Sequence, residues 1–449
     1  MNAADVLRAA EEAGAKTVRF LYCDHGGIIR AKAVHVAHLE NKLREGVGLT
    51  RAQMAMNVLD QLIPVEGMEP VGEIRLVPDL ETFSPLPWTP DSASLICDQL
   101  GHDREDWGSC PRAFLKKTVS RARERGIDIR ATFEVEFYLA TNENGAMVPF
   151  DHAPVYSSIG LDQNAGIMRD IVETLGTQGI DVEGAINEYG PGQQEISIGH
   201  AGALRAADNH IKLRDAVRGV ANTHGWLASF APKSFPDAIG SGCHVHFSLW
   251  NVETDRALLF DSSAPRGLSA LGRHAVGGLL QHLPALVALT CPSFNSYRRL
   301  QPHAWSSAFT AWGFDNREAA VRIASPFHGR EEQSYNIELK TVDGSCNPYI
   351  ALGGIITALL DGIDRKLEPG APCESDPANL SNDERERRGI QRLPTRLGDA
   401  LSNLERDPVL TRDMKDLMRR SFIAVRRSED EAFRAQDEAF EIANHFYKY

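Results

Sequence analysis

The sequence has few of the residues that crosslink a small secreted domain. Its seven cysteines are spread from Cys23 to Cys373 in a chain of 449 residues, and no two of them form a CxxC pair. An odd and scattered set of this kind favours neither a disulfide framework nor a structural zinc site. A chain of this length can bury a large core in roughly two or three domains without crosslinks. Because the cysteines form no disulfide framework, we predict a reducing compartment.

Long apolar runs and an excess of positive charge are also missing. No window approaches the ~18 uncharged apolar residues of a membrane helix, and acidic residues interrupt the N-terminal stretch where a signal peptide needs an apolar core. The 61 acidic residues outnumber the 48 basic ones and give a formal charge of −13, which would repel a phosphate backbone. We therefore predict a cytoplasmic protein that binds neither membranes nor nucleic acid.

The chain divides into a short first part and a longer second part. Residues 17–23 (TVRFLYC) are rich in β-branched and aromatic side chains and predict a strand. Residues 84–91 (SPLPWTPD) carry three prolines, which exclude a helix interior and a central strand. Residues 111–126 begin with proline and end with glycine, as an amphipathic helix does. We place one α+β domain at residues 1–105 and a second at residues 106–449.

Four predicted strands in the second part have one apolar face and one chemically distinctive face. In ATFEVEFYL, the period of two separates the apolar side chains from Glu134 and Glu136. The run GCHVHFSL repeats this pattern with His244, His246 and Ser248 on its polar face. Two further runs, EYGPGQQEISI and NIELK, add the remaining polar side chains, which are Glu188, Glu195, Glu338 and Lys340.

The composition of these polar faces indicates a cation site. Solvated outer faces of separate sheets are the alternative, and they would mix lysine, threonine, serine and glutamine. The four faces instead offer five glutamates and two histidines against one lysine. Because clustered carboxylates repel one another, a shared sheet would favour a hard divalent ion such as Mg²⁺ or Mn²⁺, which takes oxygen ligands and an occasional imidazole.

A second group of residues is cationic. Between residues 295 and 323, Arg298, Arg299, Arg317 and Arg322 occur among apolar and aromatic side chains. Arginine binds phosphate or carboxylate in a bidentate manner, although each of them could instead pair with a structural carboxylate. Beside a metal cluster they favour phosphoryl transfer, yet no P-loop, kinase loop set or complete GxGxxG motif occurs.

Six motifs in order resemble the glutamine synthetase family, from about residue 17 to the end of the chain: FEVEF, NEYGPGQQEI, GSGCHVHFSL, NSYRRL, NREAAVRI and IELKTVDGSCNPYIALGGI. The resemblance implies a small N-terminal β-grasp domain and a catalytic α+β domain with a curved antiparallel sheet flanked by helices. It also implies a homo-oligomer of stacked hexameric rings, with each active site between neighbouring subunits. The implied reaction uses ATP to convert a carboxylate into an acyl phosphate, which an amine then attacks.

The same resemblance implies a role for each site residue. Two or three Mg²⁺ or Mn²⁺ ions are implied, with Glu136, Glu188 and Glu195 as ligands of one and Glu134, His244 and Glu338 as ligands of another. His246 and Ser248 match residues near the nucleotide phosphates, and Arg317 and Arg322 match those at the transferred phosphoryl group. Arg299 matches the arginine that grips the carboxylate of the amino acid, beside Gly240 and Lys340, where Lys340 replaces an arginine and Ile239 replaces an asparagine.

Two departures concern the ammonium site. Where glutamine-forming relatives have a flap glutamate, the same spacing from Arg299 leads to Trp305, and residues 45–54 lack the acid of a DGSS-like segment. Ammonium needs anionic groups, whereas Trp305 would offer an apolar or cation–π wall to an amine with carbon substituents. The alternative is that Trp305 is a core residue of a differently folded flap.

We therefore predict an ATP-dependent ligase that joins the γ-carboxylate of glutamate to a primary amine other than ammonia. An aromatic or short alkyl monoamine is favoured over a polyamine, because residues 302–309 (PHAWSSAF) contain no acid for a distal ammonium group. The alternatives are a glutamine synthetase that uses ammonia, a γ-glutamylpolyamine or γ-glutamylethanolamine synthetase, and a non-catalytic paralogue. Since all six implied metal ligands are present, the non-catalytic alternative is the least favoured.

Overall fold

Two β-sheets, each with helices packed on it, make up the computed structural model, which describes residues 1–144 and 146–449. The first sheet has the strand order β2-β1-β6-β4-β3, and β5 pairs with β6. Only β1 and β6 run parallel among its pairs of described strands. Its strands are β1 (Thr17–Cys23), β2 (Ile29–His35), β3 (Val47–Thr50), β4 (Glu73–Pro78), β5 (Ser84–Pro85) and β6 (Ser92–Leu100).

The second sheet has the order β14-β15-β16-β13-β7-β10-β9, with β8, β11 and β12 also paired to β7. Its strands are β7 (Ile127–Glu143), β8 (Ala146–Pro149), β9 (Val182–Asn187), β10 (Gln193–Ile198), β11 (Ala201–Gly202), β12 (Leu227–Ser229), β13 (Cys243–Asn251), β14 (Trp312–Phe314), β15 (Val321–Ala324) and β16 (Asn336–Leu339). The expected all-antiparallel sheet is corrected at one edge, where β14 and β15 are parallel. The segment 315–320 returns the chain to the same end of the sheet instead of closing a hairpin.

The helices cover the sheets and make up most of the chain after residue 347. They are α1 (Ala3–Glu12), α2 (Leu39–Glu45), α3 (Pro111–Arg123), α4 (Ser158–Thr177), α5 (Ala203–Thr223), α6 (Ala270–Thr290), α7 (Ser296–Arg299), α8 (Glu331–Ser334), α9 (Pro348–Arg365), α10 (Asn382–Arg387), α11 (Leu397–Arg406), α12 (Pro408–Asp413), α13 (Asp416–Arg434) and α14 (Glu438–Lys448). None of these is long and apolar enough to cross a lipid bilayer, within the part of the chain that the structure describes.

Strand β7 explains how the core fixes the site. Its alternate residues Phe133, Val135 and Phe137 are fully buried in the main core, and each such burial contributes about 1.5–3 kcal/mol. A shift of one residue would expose all three and turn the polar side chains inward. The register that buries the apolar face therefore also fixes the direction of Glu134 and Glu136.

The predicted organisation agrees with this α+β fold. The strand at residues 17–23 is β1, and the helix expected from residue 111 is α3, which begins at Pro111 and ends at Arg123. In the proline-rich segment only Ser84–Pro85 is extended, and it pairs with β6. The domain boundary between residues 105 and 106 stays a prediction.

Candidate active site

The distinctive polar faces of four strands meet on one side of the second sheet. β7 is paired with β10 and β13, and β13 is paired with β16. The register places Glu195 opposite Glu136, His244 opposite Glu134, and His246 opposite Glu338. Because directly opposite residues in antiparallel strands have neighbouring side chains, the sequence pattern becomes one cluster. We call it the acidic cluster: Glu134, Glu136, Glu188, Glu195, His244 and Glu338.

Both histidines of β13 approach the same two carboxylates. His244 Nδ1 lies 3.3 Å from Glu134 Oε2 and 3.3 Å from Glu338 Oε1. His246 Nε2 lies 3.5 Å from Glu134 Oε2 and 3.8 Å from Glu338 Oε1. Ligand atoms of Glu134, His246 and Glu338 lie within 4.8 Å of one another. His246 thus lies within about 0.5 Å of the distances that His244, the histidine assigned by the resemblance, makes to this carboxylate pair.

The other three carboxylates line a cavity of about 620 Å³ beside this group. Glu136 is oriented by its neighbours: its Oε2 accepts hydrogen bonds from the Gly242 N–H (2.8 Å) and from Gln193 Nε2 (3.1 Å). Sequence reasoning missed Gln193, although it precedes Glu195 by two residues and so shares its face of β10. Glu188 and Glu195 complete this side of the cavity.

The pKa values of the glutamates differ according to the charges that surround each of them. Burial, together with the neighbouring carboxylates, raises the pKa of Glu195 to about 9 and that of Glu188 to about 7. Burial alone would raise the pKa of Glu338 as well, but the charge of Lys340 and the nearby imidazoles lower it to about 2. Glu195 and Glu188 therefore lack the cations that Glu338 has.

The residues present fit a divalent cation. His246 Nε2 is buried and has no hydrogen-bond partner among the described residues, and it points towards two carboxylates. Burying such a polar atom unpaired is unfavourable, as is crowding carboxylates without a counter-charge. A bound cation would relieve both, and the donor set of carboxylates with imidazole suits Mg²⁺ or Mn²⁺.

Arg299 lies at the centre of the cationic side. It is buried and donates to the carbonyl oxygens of Lys340 and Val342, each at 3.1 Å, while its Nη2 is 3.3 Å from His244 Nε2. Gly242 makes this approach possible, because a Cβ there would lie 2.6 Å from His244 Nε2 and 2.8 Å from Arg299 Nη2. Arg299 lines the cavity together with Gly240, Ile239 and Lys340.

The other arginines occupy different places. Arg322 donates to Glu338 Oε2 at 2.8 Å, and Arg317 lines the cavity. Arg298, although adjacent to Arg299, points elsewhere and binds Glu438 and Glu441 of α14. The structural alternative therefore holds for Arg298.

Ser248 makes no contact with the acidic cluster among the hydrogen bonds of the described residues. It lies four residues beyond His244 on β13, does not line the cavity among the described residues, and accepts a hydrogen bond from Trp250 Nε1 at 2.8 Å. The predicted contact of His246 and Ser248 with nucleotide phosphates stays a prediction.

Part of the cavity wall belongs to a loop, residues 302–309, which we call the flap. Trp305 lines the cavity and is 53% exposed, so the alternative of a core tryptophan is wrong. The backbone N–H of Trp305 donates a hydrogen bond to Glu318 Oε1 at 2.9 Å. The flap itself contains no acid, as its sequence predicts, but Glu318 reaches it from the connection between β14 and β15.

Sequence reasoning also missed two tyrosines of this cavity. Tyr156 and Tyr189 line it, and Tyr156 Oη donates to Glu188 Oε2 at 3.4 Å. Tyr189 directly follows Glu188 in the EYG motif and could have been found there, whereas Tyr156 lies in a loop whose path no periodicity predicts. The cavity thus joins an acidic end, a cationic side and an aromatic rim.

Comparisons with known proteins agree with this geometry. The family model of the glutamine synthetase catalytic domain matches residues 108–445, and that of the glutamine synthetase N-terminal domain matches residues 1–111. A gamma-glutamylpolyamine synthetase, GlnA3, from Streptomyces coelicolor is 35% identical over 93% of this chain and 90% of its own length. A type-1 glutamine synthetase from Dictyostelium discoideum is 32% identical, covering 93% of this chain and 86% of its own.

A solved structure described as a GmaS/ADP complex has a TM-score of 0.85 and 28% identity, and it covers 97% of this chain and 98% of its own. Two family models together span almost the whole chain, and a relative above 30% identity covers nearly all of it. The chain therefore belongs to the glutamine synthetase family and is an ATP-dependent ligase of that family.

Proposed function

We propose that this ligase joins the γ-carboxylate of glutamate to a primary amine larger than ammonia, through a γ-glutamyl phosphate. The observation that carries the proposal is Trp305, which lines the cavity from the flap where an ammonium site needs a carboxylate. Tyr156 and Tyr189 add aromatic surface to the same cavity. An amine with carbon substituents gains roughly 25 cal/mol for each Å² of apolar area that it buries there, and ammonium gains none.

The cationic side suits glutamate and the phosphoryl group that it receives. Arg299 has guanidinium donors left beyond its bonds to two carbonyl oxygens, and we assign them and Lys340 to the carboxylates of the amino acid. We assign Arg317 and Arg322 to the transferred phosphoryl group, where fixed positive charge lowers the barrier most.

The acidic cluster would hold two or three Mg²⁺ or Mn²⁺ ions. We assign Glu136, Glu188 and Glu195 to one of them, and Glu134, Glu338 and a histidine, His244 or His246, to another. When bound, these ions supply charge neutralisation for the phosphates of ATP. Gln193 and the Gly242 N–H then hold Glu136 in the direction that it needs.

An aromatic or short alkyl monoamine is the first choice of acceptor. A neutral aromatic amine needs no carboxylate to remove a proton before it attacks, and no flap carboxylate lines the cavity. A polyamine is the second candidate, because Glu318 lies at the flap tip and a relative at 35% identity is named a gamma-glutamylpolyamine synthetase. A distal ammonium group would need such an acid within reach.

A release assay for ADP tests the proposal. The purified enzyme is given glutamate, ATP, Mg²⁺ or Mn²⁺, and one acceptor at a time from ammonia, short alkylamines, an aromatic amine, ethanolamine and polyamines. We expect kcat/KM for at least one monoamine to exceed that for ammonia by more than about tenfold. Ammonia as the best acceptor would contradict the proposal, and a polyamine as the best acceptor would keep the ligase but reject the monoamine.

The stacked hexameric rings also stay a proposal. Light scattering after size-exclusion chromatography gives the molar mass, which a dodecamer would raise to about twelve times the 49.4 kDa of one chain.

A further inference from the structure

The flap has a buried base and an exposed tip that are held by different groups. At the base, Ser306 Oγ donates to the carbonyl oxygen of Arg299 at 2.6 Å, and Ser307 Oγ donates to that of Ala319 at 2.9 Å. Both serines are buried, whereas the tip residues His303 and Trp305 are exposed. The base is therefore part of the body of the protein, and the tip depends on other contacts.

Those contacts come from side chains outside the flap. The backbone N–H of Trp305 donates to Glu318 Oε1 at 2.9 Å, and the side-chain atom His303 Nδ1 lies 2.7 Å from Asp376 Oδ2. His303 and Trp305 have φ values of 59° and 52°, in the left-handed region that is unfavourable for residues other than glycine. A backbone of this kind persists only where its surroundings hold it, and here Glu318 and Asp376 do so.

Glu318 is itself well placed for this role. Its N–H donates to Asn316 Oδ1 at 3.0 Å, and Asn316 Nδ2 donates to the carbonyl oxygens of Cys373 and Ser375. The preceding residue, Arg317, places its guanidinium 6.0 Å from the centre of the Trp305 ring. Glu318 thus contacts the backbone of Trp305, and its neighbour Arg317 contacts the ring of Trp305.

From these contacts we infer that Glu318 is a positioning residue for amine selection, acting through Trp305. Its carboxylate holds the backbone of Trp305 so that the indole stays in the cavity wall beside Arg317. The inference rests on the proposed function, since it explains how the amine wall is kept in place. It makes Glu318 an acceptor of a hydrogen bond and not a ligand of the amine, in keeping with its absence from the residues that line the cavity.

Two substitutions of Glu318 test whether it acts as an acceptor of a hydrogen bond or through its charge. Glu318→Gln keeps a carbonyl oxygen for the Trp305 N–H, whereas Glu318→Ala removes the acceptor. We expect Glu318→Ala to raise KM for the best amine about tenfold, near the upper end of the range for the loss of an ordinary hydrogen bond. KM for glutamate should stay within about twofold, because the tip residues His303 and Trp305 bond to Asp376 and Glu318 and not to Arg299 or Lys340, which are assigned to glutamate.

The ratio of ADP released to amide formed gives a second readout. A loosened wall admits water to the acyl phosphate, so Glu318→Ala should raise this ratio, while Glu318→Gln should match the wild type within about twofold in both readouts. Glu405→Ala is the matched control, since Glu405 is an exposed acid at the end of α11 that pairs with Arg427 of α13.

A double-mutant cycle tests whether Glu318 acts through Trp305. In a Trp305→Gly background, Glu318→Ala should have no further effect on KM for the amine. An unchanged Glu318→Ala enzyme would overturn the inference, and so would a Glu318→Gln enzyme as impaired as Glu318→Ala, since the charge itself would then matter. A wild-type preference for ammonia would contradict the proposed function instead, which the acceptor panel reports separately.

Discussion

The acidic cluster and the flap form two sides of one cavity, and they are built in opposite ways. The acidic cluster lies mainly on paired strands whose register is fixed by a fully buried apolar face. The flap is a loop whose tip is exposed and whose backbone is left-handed at His303, Trp305 and Ser307. The first side owes its geometry to the core, and the second owes it to a few side-chain contacts.

This difference assigns different tasks to the two sides. A rigid sheet suits the groups that must hold ions and phosphates at fixed distances. A loop on such a scaffold can change its surface without disturbing the sheet, so it suits the choice of amine. We therefore expect substitutions in the acidic cluster to abolish turnover and substitutions in the flap to change the acceptor.

The largest effect is expected for Glu338→Ala. This carboxylate is 1% exposed and contacts Arg322, Lys340 and His244, so its loss removes a proposed ion ligand and leaves buried cations unpaired. Turnover should fall on the order of 10³-fold or more, and the stabilisation by Mn²⁺ in a thermal unfolding assay should shrink. Glu143→Ala, at the exposed end of β7, is the control, and equal behaviour of the two variants would contradict the metal assignment.

Arg317→Ala and Arg322→Ala should come next. If they act on the phosphoryl group as proposed, their charge is needed most when that group moves, so kcat should fall on the order of 10²–10³-fold while KM for glutamate changes much less. Steady-state kinetics with saturating ATP measures both. Near wild-type kcat in either variant would remove that arginine from the mechanism.

Arg298→Ala should affect stability and leave chemistry alone. Arg298 is adjacent to Arg299, yet it pairs with Glu438 and with the buried Glu441. Its loss should lower the free energy of unfolding by about 1–2 kcal/mol, since the arginine is partly exposed. Urea titration gives this value, and kcat for the folded enzyme should stay within about twofold. A large loss of kcat without loss of stability would place Arg298 in the site instead.

A histidine outside the cavity should give the smallest effect. His282 lies between Asp361 (3.0 Å) and Asp407 (2.6 Å); burial lowers its pKa, but the two carboxylates outweigh this and raise the pKa overall. A raised pKa in the folded state stabilises the protein fully below the unfolded value near 6.5, and that stability is lost as the pH rises through the folded value.

The difference in unfolding free energy between the wild type and His282→Gln should therefore shrink as the pH rises above about 6.5. Chemical denaturation across this range measures it, with the exposed His328→Gln as the control. A difference that grows with pH would show that the sign is wrong.

The sequence predicted the strand-borne side of the cavity well because periodicity carries the information. Alternation placed Glu134 and Glu136 on one face, and the neighbouring runs added His244 and Glu338. No such rule covers the loops, so Tyr156 and Glu318 were missed. The parallel pairing of β14 with β15 was missed for the same reason, because it depends on the path of a connection.

The contrast between strands and loops also explains why the sequence located Trp305 but did not predict its exposure. Spacing from Arg299 located it in the flap but could not tell a core residue from a wall residue. Its exposure and its N–H bond to Glu318 follow from a left-handed turn, which depends on contacts with residues distant in sequence. Predictions of the fold and of the clustering of the strand residues therefore reached further than predictions of the amine pocket.

The most direct measurement is a competition between two acceptors in one tube. Wild-type enzyme and Trp305→Glu are each given ammonia and a short alkylamine at equal concentrations, and mass spectrometry counts the two amides. Because both acceptors compete for one acyl phosphate, the product ratio gives the ratio of kcat/KM values. We predict more than about ten alkylamides per glutamine for the wild type and a shift towards glutamine for Trp305→Glu. Glutamine as the main wild-type product would contradict the account.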